Sequence, residues 1–142
     1  VAGGRQEEVS VFSVKPLPGL FTRFSRTRGL PTVAFVKRFG SLIRVRPERL
    51  EEYKACHVAV WPEVLDLMRR CHMRNFSIYH KDGFLFSYYE YTGEDHAADM
   101  ARLAADPKNQ AWWAYVMPMQ EPLDTRQPGE WWASMEEVFH MD

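Results

Sequence analysis

Apolar positions fall into regular periods only from Phe39 onward. Leu42-Ile43-Arg44-Val45-Arg46 mixes apolar and polar side chains in the manner of a short strand. Pro47 then opens a helix, at a position where its missing N–H costs nothing. Leu50, Tyr53, His57, Val60, Val64 and Leu67 recur every three or four residues and sustain one face. Pro62 interrupts that run, so the pattern predicts two helical pieces that divide near Trp61 and end near Cys71. Two alternating, aromatic-rich segments follow at 74–80 and 84–91, joined by Lys81-Asp82-Gly83, a hairpin turn signal. A helix is expected over 94–105, with Ala97, Met100, Ala101 and Ala104 on one face, and another over 108–116. Three prolines make 117–129 a loop, and the alternation of 135–141 reads as a last strand. The order β-α-β-β-α-β is that of a ferredoxin-like α+β fold with an antiparallel sheet. Helices cover one face of such a sheet, and a second subunit is the usual cover for the other, giving a dimeric α/β-barrel type of assembly.

Residues 1–38 share none of this order. Gly3-Gly4, Pro16, Pro18, Gly19, Gly29 and Pro31 punctuate them, and 23–28 is basic, hydroxylated and free of acid. The net charge of −1 conceals an asymmetry: residues 1–40 carry +5 and residues 41–142 carry −6. The chain therefore divides into a basic N-terminal extension, 1–38, and a domain, 39–142. The extension reads either as a solvated docking arm or as the remnant of an organelle-targeting segment. The first choice leaves the protein in the cytoplasm; the second places it in a mitochondrion or plastid after presequence removal. An acidic domain argues against nucleic acid as a partner, because phosphate binding needs a basic face. No apolar run approaches the roughly 18 residues of a membrane span. Cys56 and Cys71 lack paired spacing and read as reduced thiols rather than a disulfide or a zinc site.

Tyr53, His57 and Trp61 stand four residues apart, which stacks them along one side of a helix. Together they offer a group that titrates near neutrality, a hydrogen-bonding phenol and a flat apolar wall, although plain core packing accounts for the spacing equally well. Trp112-Trp113 is a second aromatic pair. Adjacent helical residues point about 100° apart, so at most one of these rings is expected to face a given pocket. Trp131-Trp132 reads as a lid or as an anchor for the last strand. His72, His80, His96 and His140 show no metal-ligand spacing and read as surface or satisfied histidines. Glu51-Glu52 and Glu136-Glu137 read as solvated faces. Nucleophile-elbow, P-loop and dinucleotide fingerprints are lacking, so nothing supports nucleophilic catalysis or a nucleotide cofactor.

Several of these segments in order resemble the L-rhamnose mutarotases. Pro47-Glu48-Arg49-Leu50-Glu51-Glu52-Tyr53-Lys54, His57 and Val60-Trp61-Pro62-Glu63-Val64 are similar to their first helix. Arg74-Asn75-Phe76-Ser77-Ile78-Tyr79 is similar to their second strand, and Phe84-Leu85-Phe86 with Tyr89-Glu90-Tyr91 to their third. Ala98-Asp99-Met100, Ala104-Ala105-Asp106-Pro107, Gln110 and Trp112-Trp113 match their helical half, and Gln120-Glu121-Pro122-Leu123 and 135–140 complete the likeness. The resemblance implies a homodimeric ferredoxin-like fold and cofactor-free, metal-free epimerisation of a monosaccharide at its anomeric carbon. It makes His57 the acid/base, with Tyr53, Trp112, Trp113, Phe76 and Tyr79 contributing to the sugar site. At Phe76 some members carry a tyrosine, so one hydroxyl is missing here.

Two functions follow as expectations. The first is a mutarotase that interconverts α and β anomers of L-rhamnose or a similar pyranose by acid/base ring opening. The second is a non-catalytic subunit of a larger, organellar assembly, docked through residues 1–38.

Overall fold

The computed structural model describes residues 35–141. β1 (Lys37–Val45) leads through a 3-10 turn at Pro47–Arg49 into α1 (Leu50–Val58), and α2 (Pro62–Arg70) follows. The division falls where the sequence places it. Trp61 is extended (φ −56, ψ 130), as a following proline requires, and Pro62 takes the first helical position. β2 (Met73–Lys81) and β3 (Phe84–Tyr91) form the expected hairpin. Asp82 and Gly83 both have positive φ, 51° and 80°, the requirement of a type I′ turn.

α3 (His96–Ala105) starts two residues later than expected, because the Asp95 carboxylate accepts the Ala98 N–H at 3.0 Å and caps it. α4 (Pro107–Val116) is capped likewise by Asp106, which accepts the N–H groups of Lys108 and Asn109 at 2.9 and 3.2 Å. A 3-10 turn at Met117–Met119 leads into β4 (Gln120–Glu121); after an excursion the chain returns as β5 (Ala133–Met135).

The strands pair antiparallel in the order β2-β3-β1-β4, with β5 also on β1. This is the ferredoxin-like α+β arrangement, with one departure at the edge. β4 lies opposite Arg44 and Val45, and β5 opposite Gly40–Leu42, so two short strands share the fourth position. The strand expected at 135–141 is thus corrected to Ala133–Met135. Beyond it Val138, Phe139 and Met141 are exposed. Alternation is a condition for a strand, but a ladder also needs a neighbour, and β5 pairs with β1 over Gly40–Leu42 alone. The extension expected at 1–38 lies outside the described residues up to 34; Lys37 and Arg38, at its end, pair with Tyr91 and Glu90 in β1.

β3 alternates cleanly. Leu85, Ser87, Tyr89 and Tyr91 are buried beneath the helices, while Phe84, Phe86, Tyr88 and Glu90 look the other way. β2 does not alternate throughout. Arg74 faces Glu90 and Ser77 faces Tyr88, so two residues, Asn75 and Phe76, share the place of one. This bulge, with Asn75 at φ 50° and its amide donating to Glu90 at 2.7 Å, reverses the parity of the strand. The inner face of α3 also differs from expectation: Met100 and Leu103 are buried, whereas Ala97 and Ala101 are exposed. Alanines carry little burial energy, so the longer side chains decide which way the helix turns.

The core lies between helices and sheet in two clusters. One gathers Ile43, Val45, Tyr53, Val64, Leu85, Trp112, Val116, Met119 and Trp132. The other gathers Leu67, Cys71, Met73, Tyr89, Tyr91, Met100 and Leu103. Met68 and Trp113 pack against both.

Candidate active site

The first cluster is not filled completely. A cleft of about 70 Å³ opens between α1, α2, α4 and the inner face of the sheet. Its walls include Tyr53, His57, Met68, Phe76, Ile78, Trp112, Trp113 and Trp132, with Ser87, Asn109 and Gln120 as polar members. Large rings around a few polar atoms make a wall suited to the C–H faces of a small ligand.

α1 supplies the titratable end of the cleft. Tyr53 and His57, one turn apart, stack with ring centroids 4.1 Å apart. Nδ1 of His57 lies 2.7 Å from the Tyr53 main-chain oxygen. A carbonyl only accepts, so Nδ1 carries the hydrogen, and the neutral ring keeps Nε2 bare. Nε2 has no protein partner among the described residues. The edge of the ring meets Trp112 at 5.4 Å in a T-shaped contact. Burial lowers the His57 pKa from its ordinary value, and the bond to the Tyr53 carbonyl pulls the other way. The imidazole is thereby kept neutral, with an open acceptor nitrogen, at neutral pH.

Tyr53 is buried, and burial pushes its hydroxyl above the usual phenol range against the pull of the Gln120 bond. Gln120 donates to that hydroxyl from Nε2 at 3.3 Å and accepts the Trp131 indole N–H at 2.7 Å through Oε1. Two further polar groups on the cleft wall are occupied. Asn109 donates to the Leu103 carbonyl at 2.9 Å, and Ser87 shares a hydrogen bond of 2.6 Å with Ser41.

Of the residues singled out from the sequence, Tyr53, His57, Phe76, Trp112 and Trp113 meet around this cleft. Both tryptophans line it, against the expectation that only one would. The cleft wraps around α4 toward both hydrophobic clusters, and indoles are long enough to reach it from adjacent positions. Phe76 arrives by way of the bulge, which turns it inward. Tyr79, three residues beyond Phe76 in regular register and so on the opposite face, is not brought to the cleft: it is exposed and stacks on Phe86 at 6.0 Å on the far face of the sheet. Trp61 backs Trp112 at 5.3 Å rather than lining the cleft. Trp132, left open between lid and anchor, is a wall residue; Trp131 reaches the site through Gln120. The part played by Gln120 has no local sequence signal, because it depends on a partner brought in from the far end of the excursion between β4 and β5. Among the described residues no group of His, Cys, Asp and Glu is placed to hold a metal ion, and no helix is long and apolar enough to cross a membrane.

Two other histidines are committed elsewhere. His72 Nδ1 donates to Asp99 at 2.7 Å, an oxygen that also accepts the Tyr91 hydroxyl at 2.8 Å. His96 stacks on Phe39 at 4.3 Å and meets the Tyr89 hydroxyl at 2.9 Å.

Residues 38–141 match the family model described as L-rhamnose mutarotase. The L-rhamnose mutarotase of Sinorhizobium fredii is 34% identical over 108 residues, covering 75% of this chain and 99% of that protein. That of Oceanobacillus iheyensis is 30% identical over 109 residues, covering 75% of this chain and all of that protein. The solved L-rhamnose mutarotase of Formosa agariphila aligns with a TM-score of 0.57 at 22% identity, over 75% of this chain and 99% of that one, and shares the fold. With the family model spanning the whole described domain and these relatives matched almost end to end, the chain belongs to the L-rhamnose mutarotase family, a family of isomerases.

Proposed function

We propose that this cleft interconverts the α and β anomers of L-rhamnose or a closely similar pyranose. The observation that carries the reading is the state of His57: Nδ1 is held by a carbonyl, and Nε2 is bare in an aromatic cleft. Anomer exchange breaks the bond between the anomeric carbon and the ring oxygen. The anomeric hydroxyl loses its proton as the ring oxygen gains one. Closure on the other face of the aldehyde reverses both transfers, so no proton is gained or lost overall. A single imidazole, with an ordinary pKa of about 6.5, serves as base in one direction and acid in the other. His57 Nε2 takes the anomeric proton and returns it to the ring oxygen as the C–O bond opens, and the Tyr53 hydroxyl orients the sugar by hydrogen bonding. The indoles of Trp112 and Trp113 stack on the sugar's C–H faces, and Phe76 adds an apolar wall. No metal or nucleotide has a part in these transfers.

Saturation-transfer NMR between the two anomers of L-rhamnose tests this. His57→Ala should slow protein-dependent exchange by about 10²–10⁴-fold, the usual contribution of a positioned acid/base. An unchanged rate removes His57 from the mechanism; a wild-type protein that does not accelerate exchange removes the function.

The same reading includes a homodimer and a cytoplasmic setting. Leu42, Phe84, Phe86 and Tyr88 lie on the sheet face away from the helices, flanked by exposed Tyr79, Val138 and Phe139. Native mass spectrometry should find two copies, and Phe86→Glu should release the single chain. Both cysteines are free thiols, in keeping with a reducing compartment.

A further inference from the structure

The direction of the hydrogen bonds around Gln120 can be worked out from chemistry alone. An indole N–H can only donate. Trp131 Nε1 stands 2.7 Å from the Gln120 side chain, so the atom facing it is the amide oxygen. The amide nitrogen must then face the Tyr53 hydroxyl, where it lies at 3.3 Å. An amide nitrogen donates and does not accept. The phenol oxygen therefore receives a hydrogen bond from Gln120, and its own proton must point elsewhere. Among the described residues no protein group accepts it. Tyr53 lines the cleft, and Gln120 is almost wholly buried at 4% exposure, so water cannot readily reverse the pattern.

We propose that Gln120, locked by Trp131, is a positioning and specificity-determining residue that makes Tyr53 a hydrogen-bond donor toward the ligand. The inference rests on the mutarotase reading for its substrate and adds which atom Tyr53 meets. A sugar hydroxyl both donates and accepts, but a pyranose ring oxygen carries no hydrogen and only accepts. A fixed donor beside the bare acceptor Nε2 of His57 sorts the two oxygens of the anomeric centre. The ring oxygen goes to Tyr53, and the anomeric hydroxyl goes to His57. The ring oxygen is where negative charge develops during opening, so a donor aimed there helps the chemical step as well as binding. Trp131 and Gln120 sit at opposite ends of the excursion between β4 and β5, and their bond ties that segment to the site.

Gln120→Glu is nearly isosteric and reverses the pattern. Its carboxylate still accepts from Trp131 but now also accepts the Tyr53 proton, drawing that proton out of the cleft. Protonating the introduced carboxyl restores the original sense, because its O–H donates to Tyr53 while its C=O accepts from Trp131. L-rhamnose exchange in this variant should lie roughly 10²-fold below wild type at mildly alkaline pH, the cost of one transition-state donor. The ratio of variant to wild-type rate should climb as pH falls through the titration of the introduced carboxyl. Gln120→Met should be slow with no recovery, which separates direction from packing. Trp131→Phe, which frees the amide to turn over, should lose several-fold at every pH and serves should Gln120→Glu fail to fold. A ratio independent of pH in Gln120→Glu, or full activity in Trp131→Phe, overturns the proposal.

An activity-free measurement separates this result from the fate of the mutarotase reading. Tyrosine labelled with ¹³C at Cζ gives one resonance for each of six tyrosines, and Tyr53→Phe identifies the one at issue. In Gln120→Glu that resonance should titrate with the introduced carboxyl, while in Gln120→Met it should not. A Tyr53 resonance that ignores the carboxyl refutes the proposal even if wild type exchanges anomers. A titrating resonance in a protein inactive on L-rhamnose upholds the hydrogen-bond direction and rejects the substrate.

Discussion

His57 and His72 each place Nδ1 2.7 Å from an oxygen, and there the likeness ends. The oxygen beside His57 is a neutral carbonyl of its own helix, no carboxylate among the described residues bonds to the ring, and aromatic rings pack against it. The oxygen beside His72 belongs to Asp99, which also accepts from buried Tyr91 and, at 2.8 Å, from Arg102. Burial would raise the Asp99 pKa. The hydrogen bonds from Tyr91 and His72 and the nearby charges outweigh it and hold the carboxyl below its usual range. One region thus leaves a titrating nitrogen with no protein partner among the described residues, beside a cleft. The other spends its polar groups on one another and fastens α3 to the hairpin of β2 and β3. A histidine retains chemistry for a ligand when its partner fixes the tautomer without supplying a counter-charge.

The largest expected effect sets the regions against each other. His57→Gln should remove about 10²-fold or more of the anomer exchange while leaving the melting temperature within a few degrees. Asp99→Ala should do the reverse. It strands the buried Tyr91 hydroxyl and should cost about 1–3 kcal/mol of stability in urea titration, with exchange close to wild type. If Asp99→Ala abolishes exchange in protein that is still folded, the division between the regions is wrong.

Gly93→Ala probes the second region sterically. A Cβ there would be driven into the Tyr91 hydroxyl, 2.6 Å from Tyr91 Cζ and 2.9 Å from His72 Nδ1. Tyr91 is fully buried and has nowhere to move, so a destabilisation of roughly 1–3 kcal/mol is expected, again without loss of exchange.

The regions should also separate by pH. His57 has a folded pKa below its unfolded value of about 6.5, so the unfolded chain takes up the proton first. Its contribution to stability is complete above that value and declines as pH falls below it. Exchange should stay level to lower pH and then fall as Nε2 is protonated. Asp99 acts further down. Its contribution is present above the unfolded value of about 3.9 and is lost as pH falls through the depressed folded value. His57→Gln should flatten only the upper part of the stability profile. A profile unchanged in that variant would show that His57 titrates as it does in water.

The smallest effect should come from the basic arm. Deleting residues 1–34 spares all of β1 and should leave both melting temperature and exchange nearly unaltered. Any binding of the arm to an acidic surface should weaken with salt, since exposed charges are screened over about 8 Å at physiological ionic strength. An unfolded truncation product would make the arm part of the domain.

Much of the domain follows from rules that act within a few residues. Pro62 splits the first helical run because a proline constrains the residue before it and lacks an N–H. Asp82-Gly83 turns the hairpin because both residues tolerate positive φ. Spacing four on a helix sets Tyr53 over His57, and that pairing survives every detail of packing. Other features depend on partners that no local period records. The bulge at Asn75 and Phe76 exists only relative to β3, and it sends Phe76 into the cleft and Tyr79 away from it. The last strand ends at Met135, where its ladder to β1 stops opposite Gly40, and no period in 135–141 marks that limit. Gln120 becomes part of the site because the chain returns after β4 and sets Trp131 against it. Sequence periodicity determines which side chains share a face. Only the folded sheet decides which face meets which, because pairing and hydrogen-bond direction belong to two distant segments at once.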